Sequence, residues 1–212
     1  VIFLLALSLV SGKLQRTHVL VAFLVILAFD CYLRPSEALN LRKEDVTAPR
    51  PGTRNKSWSL VVAPQGGAPA KNRQFDAGVV VGGSDRGFVG DVLEALWKRT
   101  STGSLLFDGV TLNSLEGIFR SKRTMLGFND FELVPHGLRH AGPSHDFHYN
   151  NVSLPALQAR GRWLSPDSVR RYAKPAMLLR QLAKVSTSDL DRFNAFTNGE
   201  LSERIISALK KV

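Results

Sequence analysis

Side chains suited to phosphate chemistry gather in one stretch of the sequence, Pro135 to Tyr172. His136-Gly137-Leu138-Arg139-His140 follows a proline that suits the first turn of a helix, and helical spacing sets His136 and Arg139 at i and i+3 on one face. Both side chains then point at the same place. Further on come Gly161-Arg162-Trp163 and, nine positions beyond Trp163, Tyr172, with Arg170, Arg171 and Lys174 around it. A tyrosine in a cationic setting is a candidate nucleophile. Far upstream, Arg34 precedes Pro35 at an expected helix start, with Glu37 three residues on. Orphan N–H groups at such an end also favour anions.

The elements that must position these residues are legible in part. Val1 to Val10 and Val19 to Phe29 are apolar runs, the second apolar almost all round, and read as core helices. Pro35 opens the next helix, with Ala38, Leu39 and Leu41 continuing it; Leu39 and Leu41 anchor it and leave Arg34 free to face a site. Lys43 to Trp58 reads as a polar surface loop. Ser59 to Val62 and Arg73 to Val81 flank a turn rich in Gly and Pro, which predicts a small antiparallel sheet with Lys71 near the turn. A helix is expected over 91–100, and Leu112, Leu115, Phe119 and Leu126 give a stripe for another over 111–126. Arg120, Lys122 and Arg123 gather toward its end, either as a solvated face or as phosphate contacts. Two central helices follow, from His136 to about Tyr149 and from Leu154 to about Gly161, with Pro143 expected to kink the first or end it early. Ser165 as N-cap and Pro166 as first helical residue open a short helix that carries Tyr172 and stops by Pro175. The tail closes on an amphipathic helix with Leu201, Ile205, Ile206 and Leu209.

Composition narrows the function classes. The 212 residues, 44% of them hydrophobic, suffice for a core without metal or disulfide, and the single Cys31 precludes an intrachain disulfide. This fits an intracellular location with the polyanion that a net charge of +10 calls for; nucleic acid is the leading candidate. Both apolar runs are too short to span a bilayer. The chain opens on Val with no basic segment before the first run, so a signal peptide is not expected and the first residues read as an interior cut. His136 and His140 have metal-like i,i+4 spacing, but no HExxH or Cys pattern accompanies them, and neither metal nor cofactor is expected.

Taken in order, these residues resemble the catalytic domain of the tyrosine recombinases, the phage integrase family. Arg34-Pro35-Ser36-Glu37-Ala38-Leu39-Asn40-Leu41 looks like the family's first arginine box, and His136-Gly137-Leu138-Arg139-His140 resembles its H-x-L-R-H box. Gly161-Arg162-Trp163 stands where the family has Gly-His or a Trp variant, with Tyr172 at the usual interval and 105 positions between Arg34 and Arg139. One such box is common by chance, whereas four in order are specific. The phrasing around them looks closer to proteins of eukaryotic mobile elements than to bacterial chromosome-dimer resolvases, which would place the chain in a nucleus. The resemblance implies a mainly α fold with a small antiparallel β-sheet (α+β). It implies a catalytic domain over 1–186 with its core match at 19–174, and a C-terminal tail over 187–212. The N-terminal domain with which family members clamp DNA is expected to be absent. It also implies double-stranded DNA as partner and a homo-tetramer that exchanges C-terminal helices, here Leu201 to Leu209.

The chemistry so implied is strand cleavage and rejoining. Arg34 and Arg139 would clamp the phosphodiester and neutralise charge on its non-bridging oxygens. Tyr172 would form a covalent link, by resemblance to the 3′ phosphate, that stores the bond energy for rejoining without a nucleotide cofactor. By resemblance, a lysine of the β-hairpin protonates the leaving 5′ oxygen; Lys71 is the first choice, with Arg73 close by. His136 would act as general acid/base or phosphate donor, and the Trp163 indole N–H as a further donor. Glu37 would orient the cations and His140 would support them, while Arg120, Lys122, Arg123, Arg170 and Arg171 are expected to contact DNA. Singly, each has a plainer reading: Arg34 with Glu37 as a surface ion pair, Trp163 as core, Tyr172 as a packing residue. As a set they favour the recombinase reading. A DNA-binding relic of a mobile element and a type IB topoisomerase are the alternatives.

Overall fold

The computed structural model describes residues 1–63, 77–83, 85–129, 132–173, 183, 187–188, 191 and 198–212. Lys71, Arg73, Lys174 and Pro175 lie outside these. Helix α1 (Ile2–Val10) leads into α2 (Arg16–Cys31), where every residue from Val19 to Cys31 is buried. A helix apolar on all sides has to be enclosed by others, and α2 is the axis of the molecule. It ends at Tyr32, which adopts the left-handed conformation (φ 53°) and donates its N–H to the Ala28 carbonyl. Helix α3 (Pro35–Leu39) follows, with Pro35 in its first turn and the Glu37 carboxylate accepting the Arg34 N–H at 2.8 Å. It is shorter than the sequence suggests: Leu41 is buried beyond its end, and Pro35 and Ala38, not Leu39, are the buried side chains within it.

Strands β1 (Val46–Thr47), β2 (Ser59–Val62) and β3 (Ala77–Val80) form an antiparallel sheet in the order β1-β2-β3, with Leu60 opposite both Val46 and Val79. The expected loop from Lys43 therefore begins as structure. A 3-10 turn over Lys43–Asp45, tied by Asp45 to the Arg42 N–H at 2.8 Å, feeds Val46 into the core.

Helix α4 (Phe88–Arg99) starts three residues before the predicted 91, because Phe88 packs edge-to-face on Phe3 at 5.9 Å. Helix α5 (Leu112–Met125) is capped by Thr111, whose hydroxyl accepts the Ser114 N–H at 3.1 Å. Its apolar stripe is narrower than expected, since Leu115 and Phe119 are buried but Leu112 is exposed.

A 3-10 turn over Pro135–Gly137 precedes α6 (Leu138–Tyr149), and α7 (Leu154–Gly161) keeps its predicted bounds. Pro143 does not end α6. The preceding residue is Gly142, which lacks the Cβ that the proline ring would strike in a helix. The same bareness lets α6 lie on α2, because a Cβ at Gly142 would come within 2.2 Å of the Phe29 carbonyl. Helix α8 (Asp167–Arg170) opens one residue later than expected, with Ser165 Oγ accepting the Asp167 N–H at 3.2 Å, and a 3-10 turn over Arg171–Ala173 carries Tyr172.

Helix α9 (Asn198–Lys210) packs on α4, α1 and α2, and its Leu201, Ile205, Ala208 and Leu209 belong to the main core. A second, smaller cluster gathers Tyr32, Leu157, Val169 and Tyr172 where α2, α7 and α8 meet. Among the described residues no helix is long and apolar enough to cross a membrane.

Candidate nucleic-acid cleavage site

The end of α2 sets the position of every group around it. Arg139, on α6 and 2% exposed, donates to the Tyr32 carbonyl at 2.5 Å and to the Gly161 carbonyl at 2.7 Å. Its guanidinium lies 4.9 Å from the centre of the Trp163 ring and 3.6 Å from Glu37 Oε2. Trp163 folds back over Gly161 so closely that a Cβ there would sit 1.9 Å from the indole, which explains the glycine in this box. Two tyrosines also lie beside this ring: Trp163 is 5.3 Å from Tyr172 and 6.2 Å from Tyr32, ring centre to ring centre.

The Tyr172 hydroxyl is 2.7 Å from His140 Nδ1, and the His140 ring stands edge-on to His136 at 5.0 Å. Burial, with His136, Arg171 and Arg139 nearby, pushes His140 down to about 4, so the imidazole is neutral at pH 7. A neutral ring can accept the phenolic proton. Burial raises the Tyr172 hydroxyl, while Arg171 and Arg139 pull it back.

Arg34 is bonded through Nη1 to Glu37 Oε1 at 2.5 Å, which matches the plainer ion-pair reading of these two residues and not a free arginine. Glu37 gathers three arginines, because Arg162 Nη2 also donates to Oε2 at 2.8 Å. Burial works against this carboxylate, but Arg162, the Arg34 N–H, Arg139 and Arg34 together hold it below the usual range. Burial also lowers Arg139 to about 10, partly offset by Glu37, which leaves it charged at neutral pH. Arg34, Glu37, Arg139, Trp163, Tyr172, His140 and His136 thus form one unbroken chain of contacts.

Sequence reasoning missed the layer behind them. Arg86 donates to Asp146 at 2.7 and 2.8 Å and to Asp30 at 2.9 Å, with all three side chains buried. Asp30 also accepts the N–H groups of Gly82 and Gly83 at 2.8 and 2.9 Å, and Arg160 bridges its carbonyl to that of Val80. The Tyr32 hydroxyl donates to Asp146. Burial would raise the Asp146 carboxyl, yet His145, Arg86 and Tyr32 hold it far below the carboxylate range. Asp85, His145 and Asp146 have ligand atoms within 4.8 Å of one another, the spacing of a metal site. The Arg86 guanidinium already lies among them, 3.0 Å from Asp85 and 3.4 Å from His145.

No family model matches the chain and no curated protein is similar to it. Solved structures are. The pre-cleavage complex of the XerH site-specific recombinase bound to difH substrate superposes with a TM-score of 0.59 at 17% identity, over 86% of this chain and 51% of that one. Its post-cleavage complex with palindromic difH gives 0.59 at 16% identity, over 87% and 51%. The fold is that of a tyrosine recombinase catalytic domain. This chain spans about half the length of those recombinases.

On this recombinase fold the expected DNA contacts divide. Arg120 and Arg171 are exposed, and Arg170 pairs at the surface with Asp167 at 2.9 Å. Arg120 and Arg123 line a cleft of about 230 Å³ with Leu133, Val134 and Pro135, next to His136. Lys122 is turned elsewhere. Its ammonium donates to the Ser8 carbonyl at 2.9 Å, tying α5 to the last turn of α1, and burial lowers its pKa. A lysine that caps a helix carbonyl is committed to packing.

Proposed function

We propose that this chain cuts and rejoins DNA strands through a phosphotyrosine intermediate, as a recombinase does. The observation that carries the reading is the juxtaposition of the Tyr172 hydroxyl with a neutral His140 at 2.7 Å, beside a cluster of arginines that outnumbers its carboxylate. The phenolic oxygen attacks phosphorus, forming the O–P bond as the strand's 5′ oxygen departs. The phenolic proton passes to His140, and Lys71, with Arg73 as the alternative, supplies the proton that the 5′ oxygen takes up. Arg34 and Arg139 stabilise the two charges that develop on the non-bridging oxygens, and His136 and Trp163 donate to the same phosphate. The link is to the 3′ phosphate, the setting is site-specific recombination or integration of a mobile element, and the enzyme works beside DNA, in a nucleus if the element is eukaryotic.

The tetramer is part of this proposal. Helix α9 lies on its own α4 and presents the apolar face that an exchanged helix would use. A second reading, a DNA-binding relic, is favoured by how enclosed the site is: Tyr172 is 5% exposed, and Arg139 directs both Nη1 and Nη2 to backbone carbonyls. One experiment separates the two. Duplexes selected from a randomised pool for binding are rebuilt with a nick beside the scissile phosphate, so that the released fragment diffuses away. Wild-type protein should accumulate a covalent adduct, and Tyr172→Phe should form none. Salt-sensitive binding without adduct would establish the relic, and an adduct persisting in Tyr172→Phe would remove the assigned nucleophile.

A further inference from the structure

Arg162 departs from what its backbone position favours. It closes α7 in the left-handed conformation (φ 57°, ψ 39°), where glycine is at ease and other residues are strained. Its side chain is 7% exposed, and its guanidinium donates to several acceptors. Nη1 donates to the Cys31 carbonyl at 3.3 Å and the Arg160 carbonyl at 3.2 Å, while Nη2 donates to the Tyr32 carbonyl at 3.3 Å and to Glu37 at 2.8 Å. Three segments are joined in this way: the end of α2, α3 and the end of α7. Two of these acceptors, the Tyr32 carbonyl and Glu37 Oε2, are also those that Arg139 approaches. Glu37 in turn holds the backbone and guanidinium of Arg34.

We propose that Arg162 is a positioning residue for the phosphate clamp: it fixes the Glu37 carboxylate between Arg34 and Arg139 and so sets the distance between the two clamping guanidiniums. What the clamp acts on rests on the recombinase reading; the Arg162–Glu37 lock itself does not. Among the described residues the charged groups that face Glu37 are Arg34 at the start of its own helix, Arg139 from α6 and Arg162 after α7. Three cations around one carboxylate leave an excess of positive charge, which suits a ligand that becomes a dianion in the transition state. Arginine is needed because its planar fork reaches a carboxylate and three backbone carbonyls at once, more acceptors than the three N–H groups of a lysine ammonium can serve.

The test follows Glu37 itself. In protein labelled at the Glu carboxyl carbon, the Glu37 midpoint should rise in Arg162→Gly, because burial then goes less opposed, and Arg162→Lys should fall between. Glycine suits the backbone at this position, and Arg162→Lys retains the charge and serves where the glycine variant melts early. In the adduct assay Arg162→Gly should slow trapping at least tenfold, Arg162→Lys should recover part of it, and combining Arg162→Gly with Glu37→Gln should add nothing to Glu37→Gln alone. An unchanged Glu37 midpoint, or losses that add in full, would overturn the proposal. If the wild-type protein traps no DNA, the recombinase reading fails while the Glu37 midpoint still decides the role of Arg162.

Discussion

Along its length α2 meets its neighbours through hydrocarbon, with Phe23 and Leu27 against Val89, Val92, Leu93 and Leu96 of α4. At its end the same helix meets charge: Asp30 binds Arg86 and Arg160, and Tyr32 receives Arg139 and Arg162 on its carbonyl. The helix itself is buried in both regions. In the first, side chains need only fill volume, and a swap of like size is absorbed. In the second each group satisfies another, so removing one strands its partners in a medium of low dielectric. The site is therefore aimed by a rigid polar layer, not by the apolar core that supplies most of the buried surface.

The largest contrast should come from paired substitutions. Arg86→Met leaves Asp146 buried without its arginine and Asp30 with Arg160 alone, and should cost about 3–5 kcal/mol in urea unfolding. Leu24→Met, in the apolar region, should cost less than about 1.5 kcal/mol. Equal costs would mean that the polar layer is no more demanding than the core. Tyr32→Phe probes one bond of the layer. It leaves an Asp146 oxygen without its hydroxyl and should cost about 1–3 kcal/mol, again by urea unfolding.

A smaller effect is expected with pH. Below its ordinary value of 6.5 the unfolded chain takes up a proton at His140 that the folded chain refuses until about 4. Stability should thus fall as pH drops through that window, and the fall should be shallower in His140→Gln, as measured by denaturation at pH 7 and pH 4.5. The least perturbing change is Arg170→Ala, outside both regions. Its ion pair with Asp167 is exposed on both sides, so stability should stay within about 0.5 kcal/mol. The logarithmic salt slope of DNA binding should nevertheless shrink by about 1 if Arg170 meets a phosphate.

This contrast also explains what could be read from the chain. Helix α7 was legible because Ser153 and Pro155 mark its start and a turn follows it, and the Trp163 to Tyr172 interval because both sit on neighbouring local elements. The ion layer was not. Asp30, Arg86 and Asp146 are far apart in sequence, and nothing local distinguishes an aspartate that will meet a buried arginine from one that will meet water. The Lys122 bond to Ser8 was hidden for the same reason, since a lysine bound to a carbonyl of another helix looks, in sequence, like any solvated charge. Arg162 carried a faint signal, as a helix that ends in Gly161 would ordinarily place its glycine one residue later, at the left-handed position.

The sole cysteine occupies the junction of the two regions. Cys31 is fully buried, and burial and the Asp30 charge raise its thiol well above the ordinary value, so in the closed protein it is shielded from alkylating reagents. Its rate of labelling therefore clocks how often the last turn of α2 opens. The same carbonyls that receive Arg139 and Arg162 would be released in that event, which makes one native thiol a reporter, requiring no added probe, on how firmly the arginines are held.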